Sequence, residues 1–276
     1  MDCIHVPHWA AAPGFFGPGS RLPGGATIEQ AELAILERAV PGGIIRQGRI
    51  APGFAEGLSD PFLLVHGTGI RSFDAPELLE EMTSRRAGAL VVAHPRPGAG
   101  RPLLSDPDGR LTSFGSDQAS NLRDSGVWLV GREAAGAGAG ALSSPHAFLA
   151  AAMESGAALY SECLARYCRV VESPADFLAL CGDVLGGRIP RAAGLEANPH
   201  VVDPSATTGE GTLIEGLVWI DGGARIGRDC RIEDSVVLGG ALVGEGSRLR
   251  NTLVMPGCRV AAFSDSSDKY IEIIGG

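Results

Sequence analysis

Lysine is almost missing from this chain. Of its 23 basic residues, all but Lys269 are arginine, so chemistry that needs a lysine in the body of the protein is excluded. Long apolar runs are missing too. The longest, Phe62 to Val65, Ala87 to Ala93 and Ala147 to Met153, fall far short of the roughly 20 residues of a membrane-spanning helix. The opening residues MDCIHVPHW contain neither a basic nor an apolar stretch and do not read as a secretory signal. Positive charge is in deficit, with a net charge of −9, which disfavours nucleic acid or an anionic membrane as partner. The six cysteines form no CxxC pair and no zinc spacing, so they read as free, mostly buried thiols. These absences lead to an expectation of a cytoplasmic protein without nucleic-acid or membrane partners.

Glycine is abundant instead, 40 of 276 residues, about twice the usual share. Much of it punctuates a C-terminal repeat. Steps of six from Val202 reach Thr208, Ile214, Ile220, Ile226, Ile232 and Leu238, and the column then slips by one to Val243, Leu249 and Met255. A second column follows four residues behind, through Ala206, Thr212, Val218, Ala224, Cys230, Val236 and Leu242. Turn formers lie between them, among them Gly209, Gly216, Gly222-Gly223, Gly239-Gly240 and Gly246. One inward aliphatic per short strand, with a turn after each, is the hexapeptide rule of a β-helix. The period predicts about three triangular coils.

The preceding residues read as α/β. Apolar strands are expected at Phe62–Val65, Gly88–Ala93 and Val127–Val130. Asp74 is positioned to cap a helix that runs to about Arg86. Helices opened by a serine and a proline are expected from Pro145 to about Leu164 and from Pro174 to Leu185. Asp106-Pro107-Asp108-Gly109 reads as a turn between two strands, and Ala134 to Leu142 as a small-residue loop. Strands alternating with helices argue for a mostly parallel sheet. The expected organisation is an α/β domain over residues 1–187, a linker at 188–200, the β-helix at 201–262 and a C-terminal tail at 263–276.

The order of motifs resembles that of the sugar-1-phosphate nucleotidyltransferases, nearest to the mannose-1-phosphate guanylyltransferase and muramate-1-phosphate uridylyltransferase types. Phe62-Leu63-Leu64-Val65-His66-Gly67-Thr68 followed by Phe73-Asp74 is similar to the family's FLVVNGD and later FD. Asp106 to Phe114 resembles its DEDGRVTxF hairpin, Asp124 to Leu129 its NAGIYLF strand, and Tyr167 to Leu180 its YWxDIGTPxDYL segment. The resemblance implies a Rossmann-like mixed sheet followed by a left-handed β-helix of hexapeptide repeats. The family's reaction joins a nucleoside triphosphate to a sugar-1-phosphate. It uses a glycine-rich phosphate loop, two Mg²⁺-binding aspartates and basic phosphate clamps.

Position by position, this chain departs from that set. The first metal aspartate aligns with Thr68, the second with Val170, and the lysine after the hairpin is replaced by Gly115-Ser116-Asp117. Gly17-Pro18-Gly19-Ser20-Arg21-Leu22 looks like the nucleotide signature GxGTRL. It stands only 49 residues before Thr68, about half the family's separation, and aligns better with a later, non-catalytic turn. On that alignment the sheet is incomplete and the first strand and loop are absent. The expectation is therefore a relative without catalysis: a scaffold, regulatory subunit or nucleotide-sugar sensor, with no catalytic residue and no metal or cofactor. The alternative is an active nucleotidyltransferase that uses Mg²⁺ in a rearranged site, with Asp74 or Glu172 as substitute carboxylates and Arg21, Arg46, Arg49 and Arg71 holding phosphates. A hexapeptide acyltransferase is disfavoured because residues 201–260 contain no histidine. His200 at their entrance reads as a cap. His5, His8, His66, His94 and His146 show no ligand spacing. His66 and Thr68, at the carboxyl end of a strand where open α/β sheets bind ligands, are the candidate ligand-binding residues, with Gly42 and Gly43 expected in the same cleft. The expected partners are a nucleotide or nucleotide sugar, and a second copy or an active paralogue joined through the β-helix.

Overall fold

The computed structural model describes residues 1–7, 19–47, 50–95, 99–114 and 120–271. They divide into two units: residues 1–20 with 28–172, and residues 21–27 with 173–276. His8, Gly17, Pro18, Arg49 and Gly115 to Asp117 lie outside the described residues.

The first unit is a mixed α/β layer structure. Its strands are β1 (Cys3–Val6), β2 (Ile45–Gln47), β3 (Phe62–His66), β4 (Gly69–Ser72), β5 (Ala89–His94), β6 (Pro102–Ser105), β7 (Leu111–Phe114), β8 (Leu122–Val130), β9 (Leu159–Glu162) and β10 (Tyr167–Val170). Its helices are α1 (Ile28–Ala39), α2 (Ala75–Arg85), α3 (Arg132–Gly138) and α4 (Pro145–Glu154). The main sheet runs β2-β1-β3-β8-β5-β9, with the β6–β7 hairpin attached to β8. β1, β2 and β3 are parallel, whereas β8 runs antiparallel to both β3 and β5, so the sheet is mixed rather than nearly all parallel. β3 and β5 are buried along their whole length, as continuous apolar runs between two covered faces should be.

Local signals act as expected at several ends. Asp74 caps α2 by accepting from Glu77 N, and Ser144 caps α4 by accepting from Ala147 N. Asp106 holds the β6–β7 turn by accepting from Asp108 N and Arg110 N. Two expectations are corrected. The helix from Pro145 stops at Glu154, because Gly156 turns the chain at φ 92° and Leu159–Glu162 pairs with β5 as a strand. The small-residue stretch from Ala134 is largely helix α3. A Cβ on Gly138 would lie 2.5 Å from the Phe148 ring, so its lack of side chains is what lets α3 lie against α4.

In the second unit three parallel ladders follow one another, as in a β-helix. The first stacks His200–Val202, Val218–Ile220, Val236–Val237, Leu253–Val254 and Tyr270–Ile271. The second stacks Thr207–Thr208, Arg225–Ile226, Leu242–Val243 and Arg259–Val260. The third stacks Leu213–Glu215, Arg231–Glu233, Arg248–Arg250 and Asp265–Ser267. Strands thus continue beyond residue 262, into the segment expected as a tail. The slip in the column also falls earlier than the six-residue step suggests. Val202 pairs with Ile220, eighteen residues on, but Ile220 pairs with Val237 and Val237 with Val254, each seventeen on. Val237 and Val254 therefore occupy the column in place of Leu238 and Met255. The shortened corner passes through Asp234, Asn251 and Asp268, all at positive φ, and Asn251 Nδ2 donates to Asp268 Oδ1 at 2.6 Å. A neighbouring corner uses Gly223, Gly240 and Gly257, each at φ 70°, a conformation glycine adopts without strain. Helix α5 (Pro174–Leu185) belongs to this unit and opens with a Ser173–Asp176 capping box.

All six cysteines are free, five of them buried and Cys163 exposed. Among the described residues, no helix is long and apolar enough to cross a membrane.

Candidate functional site

The carboxyl end of β3 gathers the unusual chemistry of the first unit. Gly67, at φ 79°, turns the chain out of β3 towards Thr68 and β4. Beside it Gly126 of β8 lets the two strands close up, since a Cβ there would lie 2.3 Å from His66 O. The strand end carries His66, only 8% exposed. Its Nε2 lies 3.6 Å from Oδ2 of Asp124, which is 3% exposed. His146, on the first turn of α4, brings its Nε2 to 3.5 Å from the same oxygen. The other carboxylate oxygen accepts from Gly126 N at 2.8 Å and from Trp128 Nε1 at 3.0 Å. Aromatic rings complete the surround: His66 meets Trp128 edge-on at 4.4 Å between ring centres, and Phe114 lies 5.9 Å from His146.

Burial pushes the Asp124 carboxyl up, but the His146 and His66 imidazoles more than reverse it, so it is held well below the usual carboxylate range. Burial pushes the His66 ring down, and Asp124 offsets this only in part. Folding therefore loosens the hold of His66 on its proton and favours the ionised form of Asp124.

Behind the strand end lies a second buried group. Arg71 of β4 is 1% exposed. Its guanidinium donates to Ser125 O, His66 O and Gly67 O and pairs with Glu32 Oε1 at 2.5 Å. Glu32 Oε2 also lies 3.1 Å from His5 Nε2. Arg71 thus ties the ends of β3 and β8 to α1, and its charge is matched by Glu32. Leaving either partner alone in the interior costs about 3–5 kcal/mol.

The two positions aligned with metal aspartates come together. Val171 N donates to Thr68 O at 2.8 Å, and Val170 pairs with Gly69 across β10 and β4. Thr68 brings a hydroxyl and Val170 a methyl-bearing side chain, 8% exposed. Neither proposed substitute carboxylate is free. Asp74 caps α2 and pairs with Arg166 at 2.9 Å, while Glu172 accepts from Gly100 N at 3.1 Å. Of the arginines, Arg71 is bound to Glu32, and Arg46 donates to Phe54 O and Glu56 O. Among the described residues, no group of three or more His, Cys, Asp or Glu side chains is arranged to hold a metal ion.

Gly42 and Gly43 do not join His66 and Thr68. They follow α1 and lie against the start of β1: Ile44 N donates to Asp2 Oδ1, and a Cβ on Gly43 would meet Met1 O at 2.1 Å. Cys3 pairs with Leu63 and Val6 with His66 in parallel register, so these glycines sit at the opposite end of the strands. Their role is a turn, with Gly42 at φ 74°, and a close backbone approach.

Sequence reasoning missed Glu32, Asp124 and His146 as functional partners. Glu32 left a signal, because it falls in the apolar stripe Ile28, Ala31, Ile35, Leu36 of α1. His146 left none, being a single histidine on a short helix. Compared with known proteins, the chain matches no family model, and no curated protein sequence matches it.

Proposed function

We propose that this protein is a nucleotidyltransferase-like scaffold or sensor without transferase activity, working in the cytoplasm in sugar-nucleotide or surface-polysaccharide metabolism. The observation that carries the reading is the meeting of Thr68 with Val170 and Val171. Two positions about 100 residues apart in sequence, aligned separately with metal aspartates, lie one residue out of step on paired segments, Thr68 opposite Val171 and Val170 opposite Gly69, and neither carries a carboxylate. Without those charges, nothing at that point neutralises a triphosphate as the sugar phosphate attacks. The reading includes a Rossmann-like sheet, a left-handed sense for the coils and a nucleotide or nucleotide sugar as ligand near His66 and Thr68.

Assembly with a second copy or an active paralogue through the coils is part of the same proposal. The outward side of the second ladder supports it. Arg225 and Arg259 stand there on either side of half-buried Leu242, over an open groove of about 750 Å³ floored by Gly227, Gly244 and Ala261.

Thermal denaturation with nucleoside triphosphates, sugar-1-phosphates and nucleotide sugars, each with and without Mg²⁺, tests the reading. A ligand at 100 times its Kd stabilises by about 2.7 kcal/mol. The expected result is a Mg²⁺-independent shift with a nucleotide sugar, or no shift for a pure scaffold. Mg²⁺-dependent release of pyrophosphate by the purified protein overturns it.

A further inference from the structure

Asp124 is a buried anion with no arginine or lysine within ion-pair distance among the described residues. Among the described residues, the only groups within ion-pair distance of its carboxylate are two imidazoles. Arg71 of β4 lies close by, but Glu32 of α1 already balances it, and His5 of β1 faces Glu32 rather than Asp124. From α3, packed on α4, Arg132 and Glu133 are exposed, and Arg132 turns to Asp60. Trp128 and Gly126 satisfy Oδ1. Oδ2 of Asp124 and Nε2 of His146 have no hydrogen-bond partner among the described residues. At 3.5 Å they stand beyond the roughly 2.7–2.9 Å of a charge-assisted bond. The two imidazoles are not equivalent. Burial makes His66 give up its proton more readily, whereas the His146 side chain is 16% exposed and stands on the first turn of a helix.

We propose that His146 is a proton-operated latch: when protonated it closes onto Asp124 and fastens the first turn of α4 to the carboxyl end of β3 and β8, and when neutral it releases that turn. A protonated ring supplies the missing counter-charge, and shortening the contact draws Pro145–Ala147 towards His66. The His146 side chain reaches solvent, so no buried transfer step is needed. The latch does not depend on the ligand proposed above. It sets how firmly one wall of that region is held as pH changes.

The test uses the full chain. Asp124→Asn is the direct variant, but it alters a carboxylate bonded to Trp128 and Gly126 and puts the fold at risk. His146→Gln, at a partly exposed position, keeps a neutral polar group that does not titrate. Amide hydrogen exchange over Pro145–Glu154 is compared at pH 6 and pH 8.5 after correction for intrinsic rates, with ring signals of the histidines followed by NMR. The expected result is protection of α4 that is about tenfold greater at pH 6 in the unmodified chain, the effect of one hydrogen bond to a charged group, and unchanged in His146→Gln. Equal pH dependence in the two proteins overturns the latch, and so does a titration that tracks His66 while the His146 signal stays fixed.

Discussion

The two units are stabilised in opposite ways. In the coils every interior side chain repeats the job of its neighbour. Ile226 sits under Val243 and Val243 under Val260, and Ile232 sits under Leu249, with each layer supplied by residues seventeen positions on. In the α/β unit single side chains do work that nothing repeats. Arg71 bonds to Glu32, 39 positions away, and to Ser125, 54 positions away, so one residue holds three elements together. A repeat spreads the cost of an error over identical layers, whereas the α/β unit concentrates it at a few charged groups in a dry interior.

The largest expected effect breaks the α/β side of that contrast. Arg71→Met strands Glu32 in the interior and is expected to destabilise the first unit by about 3–5 kcal/mol. Adding Glu32→Met should restore most of the loss, as read by chemical denaturation. If the double variant is no more stable than the single one, Arg71 acts through its carbonyl contacts instead.

On the coil side, Leu249→Ala removes one layer of the column and should cost about 2–5 kcal/mol. The corners separate two kinds of glycine. A Cβ on Gly244 would lie 2.4 Å from Ala262 N, whereas one on Gly240 meets nothing within 4 Å. Gly244→Ala should therefore lose about 1–3 kcal/mol through overpacking. Gly240→Asn, which tolerates φ 70°, should change stability by less than about 1 kcal/mol. A loss at Gly240 as large as that at Gly244 in thermal melts would show that backbone conformation constrains Gly240 as strongly as coil spacing constrains Gly244.

pH should act mainly on the α/β unit. His66 binds its proton less tightly when folded, so unfolding takes up a proton and stability falls as pH drops below the ordinary imidazole range of about 6.5. Asp124, depressed in the folded state, stabilises above the ordinary carboxylate range, and that contribution is lost as pH falls through its lower folded value. His66→Gln should flatten the first of these slopes in urea titrations between about pH 7 and 5. An unchanged slope would remove His66 as its source.

The smallest effect concerns Phe263, which is 75% exposed and held at φ 57° in the corner column of Gly211, Asp229 and Gly246. Phe263→Asn should stabilise the coils by up to about 1 kcal/mol, measured as a shift in the melting temperature. A loss instead would mean that the ring's cover over Gly246, which a Cβ there would meet at 2.5 Å, outweighs the strain.

The coil repeat was legible because its interactions are periodic along the chain. Val202, Thr208, Ile214, Ile220, Ile226 and Ile232 need only a count of six to line up. Even so, the shift to Val237 escaped the count, because one corner loses a residue where Asp234 replaces a flexible glycine turn. Helix ends at Ser144, Ser173 and Asp74 were equally readable, since a cap acts within three residues of itself. The candidate site was legible only at one strand end. His66 and Thr68 could be placed by the apolar run before them, but Gly42 and Gly43 were assigned to the wrong end of the strands, because parallel register is decided by long-range pairing.

By itself, then, the sequence determined the stacking period, the apolar strands and the lack of body lysines, all properties that a residue carries alone or shares with near neighbours. Only the tertiary structure decided that Asp124 would lie between His66 and His146, that Arg71 would be spent on Glu32, and that Thr68 would meet Val171. Those groups are brought together from separate elements, and burial gives a charge its partner only once the chain has closed around it.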